Sequence, residues 1–238
     1  MALFDHVDFS KVRRLYFAGG EPLIAQDHYR FLKRLIDEGL TDLELSYTTN
    51  FSRVAHKDYE IFELWSRFPR LILGISVDSW GERAEYIRSG QNWKQTEIDL
   101  RKVRERLPHA VLVPSCTVSS FNLLTLPDFI ERLHGQGLLL RSEFHLHLVF
   151  NPREFRIDCM GPEFQKRGLV ILDDYLKFLA QHEEKILHEK VSGIRSFLVQ
   201  NLSEDLRSKL LNDSQAKDSI RNTSIKKTFP ELHFLWED

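Results

Sequence analysis

Short apolar runs alternate with helix-period segments over the first 150 residues, and this alternation constrains the fold more than any other feature of the chain. Arg13–Phe17 reads as a strand that ends in Ala18-Gly19-Gly20. Asp27–Glu38 follows as a helix, with Phe31, Leu32, Leu35 and Ile36 on one face, Asp27 placed to cap its start and Gly39 where a left-handed C-cap residue belongs. Asp42–Thr49 alternates with period two, as a strand does, and His56–Phe68 carries Tyr59, Phe62, Trp65 and Phe68 at helical spacing before Pro69. Arg70–Val77 reads as a buried strand, Trp93–Leu107 as a helix and Ala110–Val118 as a strand in which Pro114 implies a bulge or an edge. Leu126–His134 reads as a helix and Glu143–Phe150 as a fifth strand, ended by Asn151-Pro152. Strand and helix recur about every thirty residues, which means βαβ units on a parallel sheet, an α/β class met by an open sheet or a partial barrel. Residues 163–228 are mostly helical. The chain therefore reads as a barrel-type part over 1–160 and a helical extension over 161–238.

Composition narrows the classes. With 238 residues and a 42% hydrophobic fraction the chain can bury a sizeable core. Thirty-three basic against 35 acidic side chains leave a net charge of −2 and no long basic tract, so neither nucleic acid nor an anionic membrane is implied as a partner. No apolar run approaches the roughly 18–20 residues of a membrane span, and the first residues lack a signal-peptide apolar region; the expected compartment is the cytoplasm. Two cysteines, Cys116 and Cys159, make no disulfide framework and cannot supply four ligands to a metal. The expected state is a buried thiol for Cys116 and an incidental one in a loop for Cys159. His182, His188 and the Glu183-Glu184-Lys185 run are expected on the solvated face of a helix.

Alternate strand residues face opposite sides. If the apolar faces (Leu43, Leu45 and Tyr47; Leu71, Leu73, Ile75 and Val77; Phe144, Leu146, Leu148 and Phe150) meet helices, the other faces line a polar concavity. Its lining would be Glu44, Ser46, Thr48, Ser76, Asp78, Ser115, Thr117, Glu143, His145 and His147. A barrel filled by its own side chains would carry Val, Ile and Leu there, so a polar lumen implies a guest, and parallel α/β folds bind ligands beyond the carboxyl ends of their strands. Glu44, Glu143, His145 and His147 are the candidates to meet a substrate.

The residues at those strand ends each have a plain reading and a functional one. Gly19-Gly20-Glu21-Pro22 is either an ordinary βα turn or a segment whose backbone approaches a ligand. Thr49 and Asn50 either cap a turn or bind hydroxyl and carboxylate groups. Arg88 either pairs with Glu82 or Glu85 at the surface or holds a carboxylate through its planar fork. Glu143, His145 and His147 share one strand face and are residue types that zinc or iron accepts, but no further ligand cluster accompanies them, so lumen lining is expected and a metal is not.

The order of these segments carries more than any one of them. Gly-Gly-Glu-Pro at 19–22, Thr-Thr-Asn at 48–50, Ser-Val-Asp at 76–78 with Tyr-Ile-Arg at 86–88, and Thr-Val-Ser-Ser-Phe-Asn at 117–122 together resemble the radical S-adenosylmethionine (SAM) superfamily. Asp218-Ser-Ile-Arg221 and Thr228-Phe-Pro-Glu-Leu232 resemble the ending of its group with a twitch domain. The resemblance runs from about residue 10 onward. It implies a partial (β/α)6 TIM-like barrel with SAM at the strand ends: Gly19, Gly20, Glu21 and Pro22 toward the SAM amino group, Thr49, Asn50, Ser76, Asp78 and Arg88 toward ribose and carboxylate, and Val118 and Ser119 near adenine. A peptide or protein substrate is the family-level expectation.

One departure is large. The family carries C-x-x-x-C-x-x-C after its first strand, where three thiolates hold a 4Fe-4S cluster whose reduction cleaves SAM to the 5′-deoxyadenosyl radical. Here Gly-Gly-Glu-Pro already stands at residue 19 and two cysteines cannot make three; ligands for the auxiliary cluster of twitch-type proteins are not visible either. The first expectation is thus the C-terminal portion of a radical SAM enzyme, lacking the first strand, inactive alone and without a cluster, with an exposed strand edge at 13–17. The alternative is a degenerate barrel that binds SAM or a peptide without catalysis. A third, weaker reading is a metal-dependent hydrolytic barrel built on Glu143, His145 and His147.

Overall fold

The structure is a computed structural model, and the described residues are 6–51, 54–56 and 59–236. In chain order they form β1 (Arg14–Phe17), α1 (Gln26–Asp37), β2 (Glu44–Thr49), β3 (Ala55–His56), β4 (Tyr59–Glu60), α2 (Ile61–Trp65), β5 (Arg70–Ser76) and α3 (Gly81–Ile87). Then follow α4 (Trp93–Arg106), β6 (Val111–Val118), α5 (Leu126–Gly135), β7 (His145–Leu148), α6 (Gly161–Gln181), α7 (Lys185–Gln200), α8 (Arg207–Arg221) and α9 (Ile225–Thr228). The five strands expected from sequence make one sheet in the order β1-β2-β5-β6-β7, with β1 at one end. Pairing is parallel, Arg14 facing Glu44 at the start of β1 and β2, and Glu44 facing Arg70 at the start of β2 and β5.

The chain divides into two compact units, residues 1–76 with 90–114 and residues 77–89 with 115–238. In the first, period-two patterning does what it promises. Leu45, Tyr47, Leu71, Leu73 and Ile75 are buried, while Glu44, Ser46, Ile72, Gly74 and Ser76 are half-buried on the other face. Tyr29, Leu32 and Leu35 form the buried stripe of α1, and Ile61, Phe62 and Trp65 that of α2. Burying each such side chain contributes about 1.5–3 kcal/mol. Tyr47 stacks on Phe17 with centroids 4.9 Å apart and meets the edge of Trp65 at 5.1 Å. Gly39 has φ +70°. Its N–H bonds the Ile36 carbonyl and that of Leu40 bonds Leu35, the double closure that ends a helix in a left-handed residue. Gly74 lies against β2 so closely that a Cβ there would stand 2.7 Å from the Tyr47 carbonyl oxygen.

The second unit is mainly helical. A three-residue turn joins α6 to α7, which makes them antiparallel neighbours. Phe164, Leu172, Tyr175 and Leu179 of α6 and Leu187, Val191, Ile194 and Leu198 of α7 are buried at helical spacing. Gly168 permits the close approach, since a Cβ there would meet Leu198 at 2.9 Å and Leu123 at 3.0 Å. Arg141 pairs with Glu131 and Glu184, and the Tyr175 hydroxyl donates to Glu131 at 2.8 Å.

Several expectations need correction. Asp27 does not cap α1: the N-cap is Ala25 without a side-chain bond, and Asp27 sits inside the first turn near Arg30. The helix expected from His56 begins only at Ile61; Ala55–His56 and Tyr59–Glu60 pair antiparallel instead, and residues 57 and 58 lie outside the described residues. Glu143 is not part of the last strand. It closes a tight turn over 141–143, its carboxylate accepting the Leu140 N–H at 2.6 Å, and β7 starts at His145. Phe150, expected on the apolar face, is 70% exposed beyond the strand. His182, Glu183 and Glu184 form the turn between α6 and α7 rather than a helix face, with Glu183 left-handed at φ +57°. Pro114 is accommodated without a β6 bulge in the β7 pairing, because that pairing begins one residue later, at Ser115 facing His145.

Candidate functional site

In the first unit, the turn after β1 is built around two glycines. Gly19 and Gly20 have φ +85° and +55°, and a Cβ on either would meet nothing within 4 Å. It is the left-handed backbone, not crowding, that calls for glycine there. The chain then extends at Glu21, which caps the short 3-10 turn Pro22–Ile24 by accepting the Leu23 N–H. Pro22 in the first position loses no bond, since that N–H has no partner inside the turn. The Glu21 carboxylate also accepts the Thr49 hydroxyl at 2.7 Å and the Asn50 N–H at 2.9 Å. Thr49 Oγ1 in turn accepts the Phe51 N–H at 3.0 Å, with Phe51 at φ +56°. One carboxylate therefore fastens the loop after β1 to the end of β2.

In the second unit, Asp78 plays the equivalent part. It is 4% exposed. Arg88, at the end of α3, donates from Nε to Oδ2 at 2.7 Å, and the Thr117 N–H donates to Oδ1 at 2.7 Å. The Asp78 carbonyl accepts from Asn122 Nδ2 at 2.8 Å, and Asn122 also donates to the Thr117 carbonyl and accepts the Ser119 N–H. Arg88 thus pairs with neither Glu82 nor Glu85 but with a buried aspartate. Val118 is fully buried and Ser119 is 5% exposed.

A cavity of about 140 Å³ opens beside this network. Asp78, Thr117 and Ser119 line it from the strand ends, Tyr86, Phe121 and Phe155 give it an aromatic wall, and Lys217 and Arg221 reach it from α8. Burial raises the Tyr86 hydroxyl to about 12, so it stays protonated and neutral at ordinary pH. Three larger cavities in this unit, of about 480, 360 and 400 Å³, lie along α6 for the first two and between α3 and α9 for the third, outside the strand-end network. The smaller one is the better candidate, because convergent polar groups rather than volume mark a site.

The remaining candidates fall elsewhere. Ser76 is the last residue of β5 and half-buried. Glu44 pairs with Arg14, its register partner on β1. His145 and His147 are exposed on β7 with ring centroids 6.5 Å apart, and partial burial, then Lys190 and His147, hold His145 below its usual pKa. Among the described residues no group of three His, Cys, Asp or Glu side chains could hold a metal ion. Both cysteines are fully buried and free, and burial raises both thiols. Cys116 Sγ lies 3.9 Å from the Asp78 carbonyl oxygen. Two buried thiols do not fit an iron–sulfur cluster that needs three thiolates. Sequence reasoning quoted Asn122 and Arg221 within motifs without giving them a role, and passed over Phe155 and Lys217, which no local pattern connects to the strand ends.

No family model matches the sequence, and no curated protein matches it. Solved structures do. The sulfatase-maturating enzyme anSMEcpe with bound AdoMet superposes with a TM-score of 0.52 at 12% identity, covering 76% of this chain and 50% of that one. The same enzyme with AdoMet and the Cp18Cys peptide gives 0.51 at 11% identity over 73% and 50%, and with the Kp18Cys peptide 0.52 at 12% over 73% and 50%. The chain shares the fold of these structures. Its parallel strands with helices between them follow the same partial-barrel plan, and it spans about half the length of the solved structures it matches. No described helix is long and apolar enough to cross a membrane.

Proposed function

We propose that this chain is the SAM-binding part of a radical SAM enzyme that modifies a peptide, with the cluster ligands outside its own residues and no activity alone. The observation that carries the reading is the shared fold with a buried Asp78–Arg88 pair past β5, beside a cavity that Ser119 and Thr117 also line. In the solved relatives AdoMet and peptides are bound. When bound, SAM supplies a 5′-deoxyadenosyl group for radical chemistry. The proposed contacts within the second unit are Ser119, Val118 and the Asp78–Arg88 pair; within the first unit, taken by itself, the candidates are Gly19, Gly20, Glu21, Pro22, Thr49, Asn50 and Ser76. His145, His147, Glu44 and Glu143 are the proposed substrate-facing residues. Residues 1–160 act as the barrel part and 161–238 as a helical extension of the twitch type.

Calorimetric titration of the purified chain with SAM tests the reading, run before and after anaerobic iron–sulfur reconstitution. SAM binds, the chain takes up no stoichiometric iron, and no 5′-deoxyadenosine forms under reducing conditions. Absence of SAM binding in both preparations refutes the site, and 5′-deoxyadenosine from the chain alone refutes its inactivity. The burial of both thiols equally favours a second reading, a non-catalytic SAM- or peptide-binding barrel. Addition in trans of a segment bearing the three-cysteine motif separates the two: it restores SAM cleavage only if the first holds.

A further inference from the structure

Charge is distributed unevenly around the Asp78 cavity. Arg88 is engaged by Asp78 at 2.7 Å through Nε, so that pair cancels, and Arg88 is not among the residues that line the cavity. Lys217 and Arg221 are different. They stand four residues apart on α8, hence on one face, and both line the cavity. Neither forms an ion pair among the described residues. Lys217 Nζ lies 4.3 Å from the centre of the Phe155 ring, and Arg221 Nη1 donates only a long bond, 3.4 Å, to the Tyr86 carbonyl. The nearest acid on the helix, Asp218, is occupied by the Thr223 hydroxyl and the Ile225 N–H at 2.7 and 2.8 Å. A cation in the last turn suits the helix dipole, but that accounts for position along the helix and not for two cations on the face that lines a cavity.

We propose that Lys217 and Arg221 form a carboxylate-binding pair in this cavity, which rests on the cavity being the SAM site. The guanidinium supplies a planar two-donor fork and the ammonium a second charge. The size agrees: about 140 Å³ is close to the roughly 150 Å³ of a cavity that takes one benzene, enough for an amino-acid end or an acidic side chain. Tyr86, Phe121 and Phe155 cover the apolar stem of such a group. The carboxylate comes either from SAM itself or from an acidic residue of the peptide substrate.

Three probes distinguish the sources: SAM, 5′-methylthioadenosine, which lacks the carboxylate, and N-acetylglutamate amide. Each is titrated into the wild-type chain and into Lys217→Gln/Arg221→Gln, with calorimetry for the nucleosides and NMR line shifts for the weak ligand. SAM binding weakened about tenfold with methylthioadenosine unchanged supports the pair and names SAM as the source. Unchanged SAM binding with lost N-acetylglutamate amide shifts supports the pair and names the substrate. If neither SAM nor the glutamate probe distinguishes the variant from wild type, the pair is refuted while SAM binding stands. If SAM fails to bind the wild type, the function proposed above falls, and the glutamate probe alone decides the pair: shifts lost in the variant support it, and no shifts in the wild type overturn it. Both substitutions keep a good helix former on a solvent-accessible helix. Arg221→Lys, which keeps the charge and removes the fork, serves as the second variant, and binding equal to wild type there would count against the fork.

Discussion

His28 gives the fold a dependence on pH that can be worked through from its surroundings. The ring sits on the buried face of α1, 7% exposed, with its centroid 4.6 Å from Phe17, 5.7 Å from Tyr29 and 5.5 Å from Tyr47. Its Nε2 lies 3.3 Å from the Tyr47 hydroxyl and its Nδ1 has no partner. Burial holds the imidazole at about 4 against 6.5 for the free group. A depressed histidine pKa means that the unfolded chain binds the proton more readily, so stability is lost as pH falls through 6.5 toward 4. The difference amounts to about 2.5 kcal/mol at about pH 4.5 and is close to zero at about pH 7.5. His28→Phe keeps a ring in the aromatic pocket and removes the titration. Urea unfolding at the two pH values should show wild type losing about 2–3 kcal/mol more on acidification than the variant. Parallel losses within about 0.5 kcal/mol would show that the ring is not held neutral by its surroundings.

Three further outcomes follow from particular contacts. Gly74→Ala puts a Cβ 2.7 Å from the Tyr47 carbonyl oxygen, backbone that cannot swing away, and should cost about 1–3 kcal/mol in thermal unfolding; a wild-type melt would refute the close approach. Asp78→Asn takes the charged partner from Arg88 and should cost about 1.5–3 kcal/mol, read by urea titration, with SAM binding weakened alongside; full stability would mean the pair is not a fastening. Both free cysteines, being fully buried with raised thiols, should resist a thiol reagent in the native chain and react together in denaturant, and rapid native labelling of either would contradict their placement.

The sheet was legible because its signal is local. Period-two alternation in β2 and β5 and βα spacing can be read within a few residues, and all five strands of the main sheet formed within the segments expected for them. The errors come where a side chain or a short pairing overrides the pattern. Residues 143–148 alternate without interruption, yet the Glu143 carboxylate finds the Leu140 N–H and delays the strand. The aromatic spacing from Tyr59 to Phe68 is helical, yet only the part from Ile61 winds, because the preceding residues pair as β3 and β4. The candidate site was half legible. Motif order pointed to Glu21, Thr49, Asp78, Arg88 and Ser119, which lie in hydrogen-bond networks at the strand ends. What Arg88 holds and which cations line the cavity depend on contacts between residues ten and more than a hundred positions apart, such as Arg221 with Tyr86, and no periodicity encodes those.

Asp78 has both carboxylate oxygens and its carbonyl taken up by the protein itself, and Glu21 likewise ties one strand end to another. Each thus fastens the fold, whatever the chain does afterwards. Selection for a stable, expressible barrel is enough to keep them through generations in which catalysis is gained, lost or handed to another polypeptide. Retention of these two letters would therefore report on the scaffold and say little about the chemistry, whereas substitutions at Lys217 and Arg221, which hold no strand in place, would record a change of use.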